Sequence, residues 1–265
     1  MQGPRSALRG LPDARDLSHR SPADAEGPAL IPPSVRTIFF DAGDTLIAYR
    51  RPLRILLQDF FIEHDEIVRR DRIAEALEAL NLRYRSVMDT IRTVEQERRL
   101  WRAVARDLLD LLLPQRRDLA DRLGRWFSES WWLLKVFRDV RPAMHRLRRR
   151  GYQLAVVSNW EPSLEEVLDH LGLRFYFTAV VTSSVEGIWK PDPRLFEIAL
   201  RRCGLRPEEA VSVGDDVERD VEAAARAGLA GILLDRFGDH PEYTPRVRDL
   251  GELADRLPAR LVPSG

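Results

Sequence analysis

The sequence predicts an α/β fold: a doubly wound, parallel, five-stranded Rossmann-like sheet with an inserted all-helical cap. Three observations predict it. Short apolar runs at 35–40, 154–158, 178–182, 211–214 and 232–234 have the length and Val/Ile/Phe content of buried parallel strands. The last four alternate with helical periods, as βα units do. The first is set apart from them by residues 53–137, where only helical periods occur.

Taken in order, residues 1–34 carry scattered Pro, Gly, Ser and Asp without an apolar period, and are expected to be a disordered leader. The first strand ends in Asp41-Ala42-Gly43-Asp44-Thr45-Leu46. In the insert, apolar residues recur at helical spacing: Leu56, Phe60 and Val68; Ile73, Leu77 and Leu80; Ile91, Val94 and Trp101; Val104, Leu108 and Leu112. Residues 86–113 are long for one helix, so a break is expected there, and Pro114 ends the stretch. Trp126, Phe127, Trp131 and Trp132 read as a packing cluster, since such rings bury large areas. From Val140 the βα rhythm starts. Pro142 opens a helix that Gly151 closes. Further helices are expected at 164–171, at 193–203 with Asp192 as cap, at 217–227, and at 246–257. The organisation this implies is a core of 35–51 and 138–258, a helical cap of 52–137, and a tail of 259–265. The cap should hinge near Arg51 and Arg138 and pack over the Asp41 loop.

Composition excludes several classes. The formal net charge is zero, from 42 basic and 42 acidic residues, so no global field points to nucleic acid or an anionic membrane. The one cysteine, Cys203, rules out an internal disulfide and a multi-cysteine metal site, and suits the cytoplasm. No apolar run reaches membrane-spanning length. Lys135 and Lys190 are the only lysines in an arginine-rich chain, which draws attention to where a compact ammonium is needed.

Four stretches carry chemistry: Asp41 to Thr45, Ser158-Asn159, Lys190-Pro191-Asp192-Pro193, and Gly214-Asp215-Asp216 with Asp220. Each alone has a plainer reading as a turn, a helix cap or first-turn acids. Three begin where predicted parallel strands end, which brings them to one sheet edge. Asp41 and Asp215 can then hold one hard cation, and Mg²⁺ suits carboxylate oxygens. Ser158 and Asn159 offer hydrogen bonds to a phosphoryl group, and Lys190 a positive charge. Phosphoryl transfer needs that combination, because its catalysis is mostly positioning and charge neutralisation. Asp41 is then the nucleophile.

These motifs resemble those of the haloacid dehalogenase-like hydrolase superfamily, in the branch with a helical cap after the first strand. Asp41 with Thr45 and Leu46 matches its first motif, Ser158 the second, Lys190 the third, and Gly214-Asp215-Asp216 with Asp220 the fourth. The resemblance spans residues 35–257. It implies a magnesium-dependent hydrolase, usually a phosphatase working on a small phosphorylated or activated substrate through an aspartyl-phosphate. It implies metal ligation by Asp41, the Gly43 carbonyl and Asp215, with Asp216 or Asp220 completing the shell.

One position departs from the pattern. Phosphatases of the superfamily usually have a second aspartate two residues after the nucleophile, as general acid and base, and this chain has Gly43 there. Asp44, one place later, is not an automatic substitute. Two other readings stay open at this point: a dehalogenase that attacks carbon, against which the acidic 214–216 stretch counts, and a binding protein that keeps the fold without turnover.

Overall fold

The computed structural model describes residues 30–260. The expected disordered leader falls largely on residues outside that range, as does most of the tail. Of the leader's last residues, Leu30 and Ile31 pack against the sheet's core, while 32–34 are exposed.

Six parallel strands form the main sheet, β1 (Thr37–Phe40), β4 (Gln153–Ser158), β5 (Ala179–Thr182), β6 (Ala210–Gly214), β7 (Ala230–Leu234) and β8 (Arg246–Val247), in the order β5-β4-β1-β6-β7-β8. Every residue of β1 is buried, as a central strand covered on both faces requires. Alternation at period two sends Ile38, Phe40, Leu154, Val156, Val211 and Val213 to one face. There they meet α5 (Val140–Arg149), α6 (Leu164–His170) and α10 (Leu250–Arg256). Phe39, Ala155, Val157 and Ala210 face the opposite layer, which contains α8 (Arg194–Cys203) and α9 (Ala223–Arg226). After β1 the chain winds outward through β4 and β5, then crosses to β6 and winds the other way. The order therefore reverses beside β1, and α/β sheets bind ligands outside the strand ends at such a point.

The sheet has six strands where five are expected, β8 being the addition, and two expected helices are corrected. The stretch 246–257 is not one helix: Arg246 and Val247 pair with β7, and α10 starts later, where the Asp249 carboxylate accepts the Glu252 N–H at 2.8 Å. The predicted helix 217–227 begins as a π-helical turn, Val217–Glu222, before α9.

The insert contains α1 (Leu53–Ile62), α2 (Arg70–Met88), α3 (Val94–Leu112) and α4 (Ala120–Ser128), packed around a hydrophobic core of their own. The break expected within 86–113 lies between α2 and α3. Thr93 makes it a start signal, with a capping box in which its hydroxyl accepts the Gln96 N–H at 3.3 Å and the Gln96 side chain accepts the Thr93 N–H at 3.2 Å. The segment is not wholly helical. Its exit strand β3 (Leu134–Val136) pairs antiparallel with β2 (Ile47–Tyr49), forming a two-stranded stalk that holds both of its connections to the sheet.

The insert contacts α6 and the loops at the sheet's carboxyl edge. Arg98 pairs with Glu166 at 3.2 Å, and the Arg92 guanidinium lies 5.5 Å from the Trp189 ring centre. Glu97 of α3, 5% exposed, accepts the Ser163 N–H at 3.0 Å, the Ser163 hydroxyl at 2.8 Å and the Trp101 indole N–H at 3.3 Å. Glu97→Ala would leave these donors without their acceptor, and should lower stability by about 1–3 kcal/mol in urea unfolding. Burial holds the Glu97 pKa above the ordinary value, although the Ser163 and Trp101 hydrogen bonds pull it down. A raised carboxyl pKa stabilises the fold at low pH, and that contribution is lost as pH rises through the raised value. Relative to Glu97→Gln, the parent should therefore lose stability on raising the pH from the ordinary carboxylate range. An equal pH dependence in both would remove Glu97 as the titrating group.

Candidate active site

Asp41 follows β1 directly, and its N–H donates to Val213 O of β6 at 3.0 Å. That bond sets the loop between the ends of the two strands at the reversal. Ser158, the last residue of β4, donates its hydroxyl to Asp41 Oδ1 at 3.0 Å. Lys190 Nζ donates to the same oxygen at 2.7 Å. Asp41 Oδ2 has no hydrogen-bond partner among the described residues.

Lys190 is not at a strand end, yet it is 4% exposed and points into the site. Two contacts hold it. The Asn159 amide clasps its backbone, accepting Lys190 N–H and donating to Lys190 O, each at 2.8 Å. Its ammonium also donates to Val157 O at 3.0 Å and to the Asp220 carboxylate. Burial pulls the Lys190 pKa down, but Asp41 and Asp220 outweigh it and the net direction is up, so the side chain is an ammonium. Asn159, expected to face substrate, lines the cavity and uses its amide to place Lys190.

Asp220 reaches the site from the π-helical turn. A Cβ on Gly214 would lie 2.2 Å from its carboxyl group, so only glycine at the end of β6 admits it. One Asp220 oxygen accepts from Lys190 and the other from Asp216 N–H at 3.1 Å. Burial pushes its pKa up against the pull of Lys190.

Asp215 faces Asp41 across the loop and accepts the Thr45 hydroxyl at 3.1 Å. Burial, and then the charge of Asp41, push its pKa up to about 6. Asp41, Asp215 and Asp220 each bring an oxygen within 4.8 Å of the others. Asp216, expected as a possible member of the metal shell, is outside that group. Its carboxylate accepts the Arg219 N–H at 2.8 Å and pairs with the Arg219 guanidinium at 2.6 Å. Gly43 lines the same cavity, and its carbonyl accepts the Thr45 N–H at 2.5 Å.

The cavity these groups enclose measures about 180 Å³ and is also lined by Asp44, Trp160 and Arg219. Two supporting residues gave no signal in the sequence. Trp160 contributes a ring rather than a titratable group. Arg236 braces the loop from behind, donating to Thr45 O at 2.6 Å and pairing with Asp139 at 2.9 Å, but one arginine among so many is indistinguishable. Chemically, the site presents a carboxylate oxygen free to attack, a fixed ammonium and hydroxyl beside it, and a partly buried second carboxylate.

A family model described as haloacid dehalogenase-like hydrolase matches residues 35–228. A glyceraldehyde 3-phosphate phosphatase of Methanopyrus kandleri is 36% identical over 147 residues, which cover 53% of this chain and 63% of the relative, less than two thirds of its length. The haloacid dehalogenase-like hydrolase domain-containing protein 3 of Mus musculus is 30% identical over 241 residues, covering 85% of this chain and 93% of the relative. Among solved structures, a 2-haloacid dehalogenase from Pseudomonas syringae superposes with a TM-score of 0.60 at 24% identity, covering 84% of this chain and 97% of that one. At that identity the likeness concerns the fold alone.

Proposed function

The chain belongs to the haloacid dehalogenase-like hydrolases, and from that premise we propose that it is a Mg²⁺-dependent phosphatase acting on a phosphorylated small molecule through an aspartyl-phosphate. The observation that carries the reading is the pairing of Asp41 Oδ1 with Lys190 at 2.7 Å while Asp215 stands opposite with a raised pKa. A nucleophile fixed by an ammonium, next to a carboxylate without a positive partner among the described residues, suits a dianionic substrate brought with a cation.

The donor set fits Mg²⁺: hard carboxylate oxygens from Asp41 and Asp215, with the Gly43 carbonyl beside them. Asp220 supports the site by holding Lys190. The cation, when bound, neutralises charge on the phosphoryl group. The chain's own residues do the rest. Ser158 and Lys190 hold Asp41 Oδ1 and aim Oδ2 at phosphorus. Attack forms the Oδ2–P bond and breaks the bond from phosphorus to the leaving oxygen, which departs as an anion and takes its proton from water. Water then cleaves the acyl phosphate, releasing inorganic phosphate and restoring the carboxylate. Lys190 and Ser158 can turn to the phosphoryl oxygens as charge moves from Asp41 onto the substrate.

A carbon-attacking dehalogenase needs no cation, so the gathering of Asp41, Asp215 and Asp220 within 4.8 Å of one another favours phosphorus chemistry. The same gathering speaks against a binding protein without turnover. The neutral net charge and the lone, partly buried Cys203 support a cytoplasmic enzyme of small molecules.

The test is hydrolysis of an aryl phosphate with Mg²⁺ and with a chelator. Phosphate release that needs Mg²⁺ is expected, and metal-independent dehalogenation without phosphate release would overturn the reading. Binding should also show in stability: Mg²⁺ should raise the melting temperature of the parent, by RT ln(1 + [L]/Kd) in free-energy terms, and raise that of Asp215→Asn much less. Equal shifts would remove Asp215 from the ligand set.

A further inference from the structure

The insert holds a cavity of about 450 Å³, far larger than the cavity at Asp41. Leu53, Leu80, Trp101, Val104, Trp126 and Phe127 form much of its wall, with contributions from all four helices. It has no cluster of convergent acids and is not a chemical centre. The space is partly open to solvent, so it is a cleft between the helices rather than a packing void, and its volume falls in the range of ligand pockets.

Its position connects it to the chemistry. Asn81 and Met88 line both this cavity and a second one of about 210 Å³ between the helices and the sheet's edge. Asn159 and Trp160 line both that second cavity and the one at Asp41. The three spaces share walls in sequence from Asp41 into the helices. The Asp41 cavity is the smallest of the three, so a substrate too large for it would extend along this route.

We propose that the cavity in the helical insert receives the apolar portion of the substrate, which makes the substrate class phosphate monoesters of amphiphilic alcohols bearing a bulky aromatic or aliphatic group. A sugar phosphate fits poorly. Its hydroxyls would lose water against a wall whose polar side chains are Tyr49, Glu78 and Asn81, and unpaired hydroxyls are costly to bury. The inference rests on the phosphatase reading for the phosphate end and on the cavity for the apolar end.

The experiment separates the two. 4-n-Alkylphenyl phosphates of increasing chain length keep the leaving-group acidity nearly constant. With Mg²⁺, kcat/KM should rise by up to about fourfold per methylene until the cavity is full. Val104→Trp, which fills the cavity, should collapse the ratio between the long-chain and unsubstituted esters. Since that variant can fail to fold, a second measurement uses the parent and Asp41→Asn without Mg²⁺: titration with 1-decanol should give a saturable change in tryptophan fluorescence, because Trp101 and Trp126 line the cavity. A flat alkyl series on an active enzyme, with no saturable fluorescence change, overturns the proposal and leaves the phosphatase reading standing. No phosphate release from any ester, with saturable fluorescence, retires the phosphatase reading and supports the apolar site.

Discussion

Asp41→Asn should lose turnover on every phosphate ester, by about 10⁴-fold or more, because in the proposed mechanism it removes the attacking oxygen itself. An amide oxygen keeps the shape of the carboxylate but is a poor nucleophile and carries no charge for a cation. The fold should tolerate the change. Lys190 keeps Asp220 and the Val157 carbonyl as partners. Asp215, whose pKa Asp41 helps to raise, loses a like-charged neighbour. The expected result is thus an inactive protein with an ordered fold and a melting temperature near that of the parent. Initial rates on an aryl phosphate, circular dichroism and a search by mass spectrometry for phosphorylated enzyme check it together. Turnover comparable with the parent, or phosphate trapped on another residue, would place the nucleophile elsewhere.

Much of the geometry of this candidate site is legible in the sequence, and the reason is topological. A strand buried on both faces writes itself as a continuous apolar run, so the positions of Asp41, Ser158 and Asp215 at strand ends follow from the runs themselves. Parallel strands then bring their carboxyl ends together without further information. Lys190 was singled out by residue type, but its route into the site depends on the Asn159 clasp and on Asp220, contacts between segments distant in sequence. No periodicity encodes such contacts. Asp216 shows the limit from the other side. It is the neighbour of Asp215 and identical in type, and its carboxylate is held by Arg219 instead. Strand β8 is two residues long, too short to register as a period, and the apolar residues around it merged into the following helix. The cavity in the insert was hidden for a related reason: an amphipathic pattern tells which faces of helices meet, while the volume left between them depends on the packing of every side chain.

Gly43→Asp should raise turnover on substrates with poor leaving groups by about 10²-fold or more, the lower end of what general acid–base catalysis contributes. The site of the change accepts a side chain. Gly43 is not in the left-handed region, and a Cβ there would meet Trp160 Cζ3 at 3.5 Å, an ordinary van der Waals contact. The parent lacks an acid at that position, so the leaving oxygen departs with more negative charge, and its rates should fall steeply as leaving-group pKa rises. Aryl and acyl phosphates should be far ahead of simple alkyl esters. An added carboxyl group flattens that dependence by supplying the proton. Asp44 is the native rival for the role. It lines the rim of the cavity, but it is exposed and takes a left-handed φ of 50°, which sets its side chain on a different course from that of residue 43. Steady-state rates for esters of graded leaving-group pKa, on the parent, Gly43→Asp and Asp44→Asn, decide between them. A steep parent series that flattens in Gly43→Asp and is unchanged in Asp44→Asn is the expected pattern. A flat parent series that turns steep in Asp44→Asn would make Asp44 the acid, and Gly43 would then be a position the enzyme has already compensated.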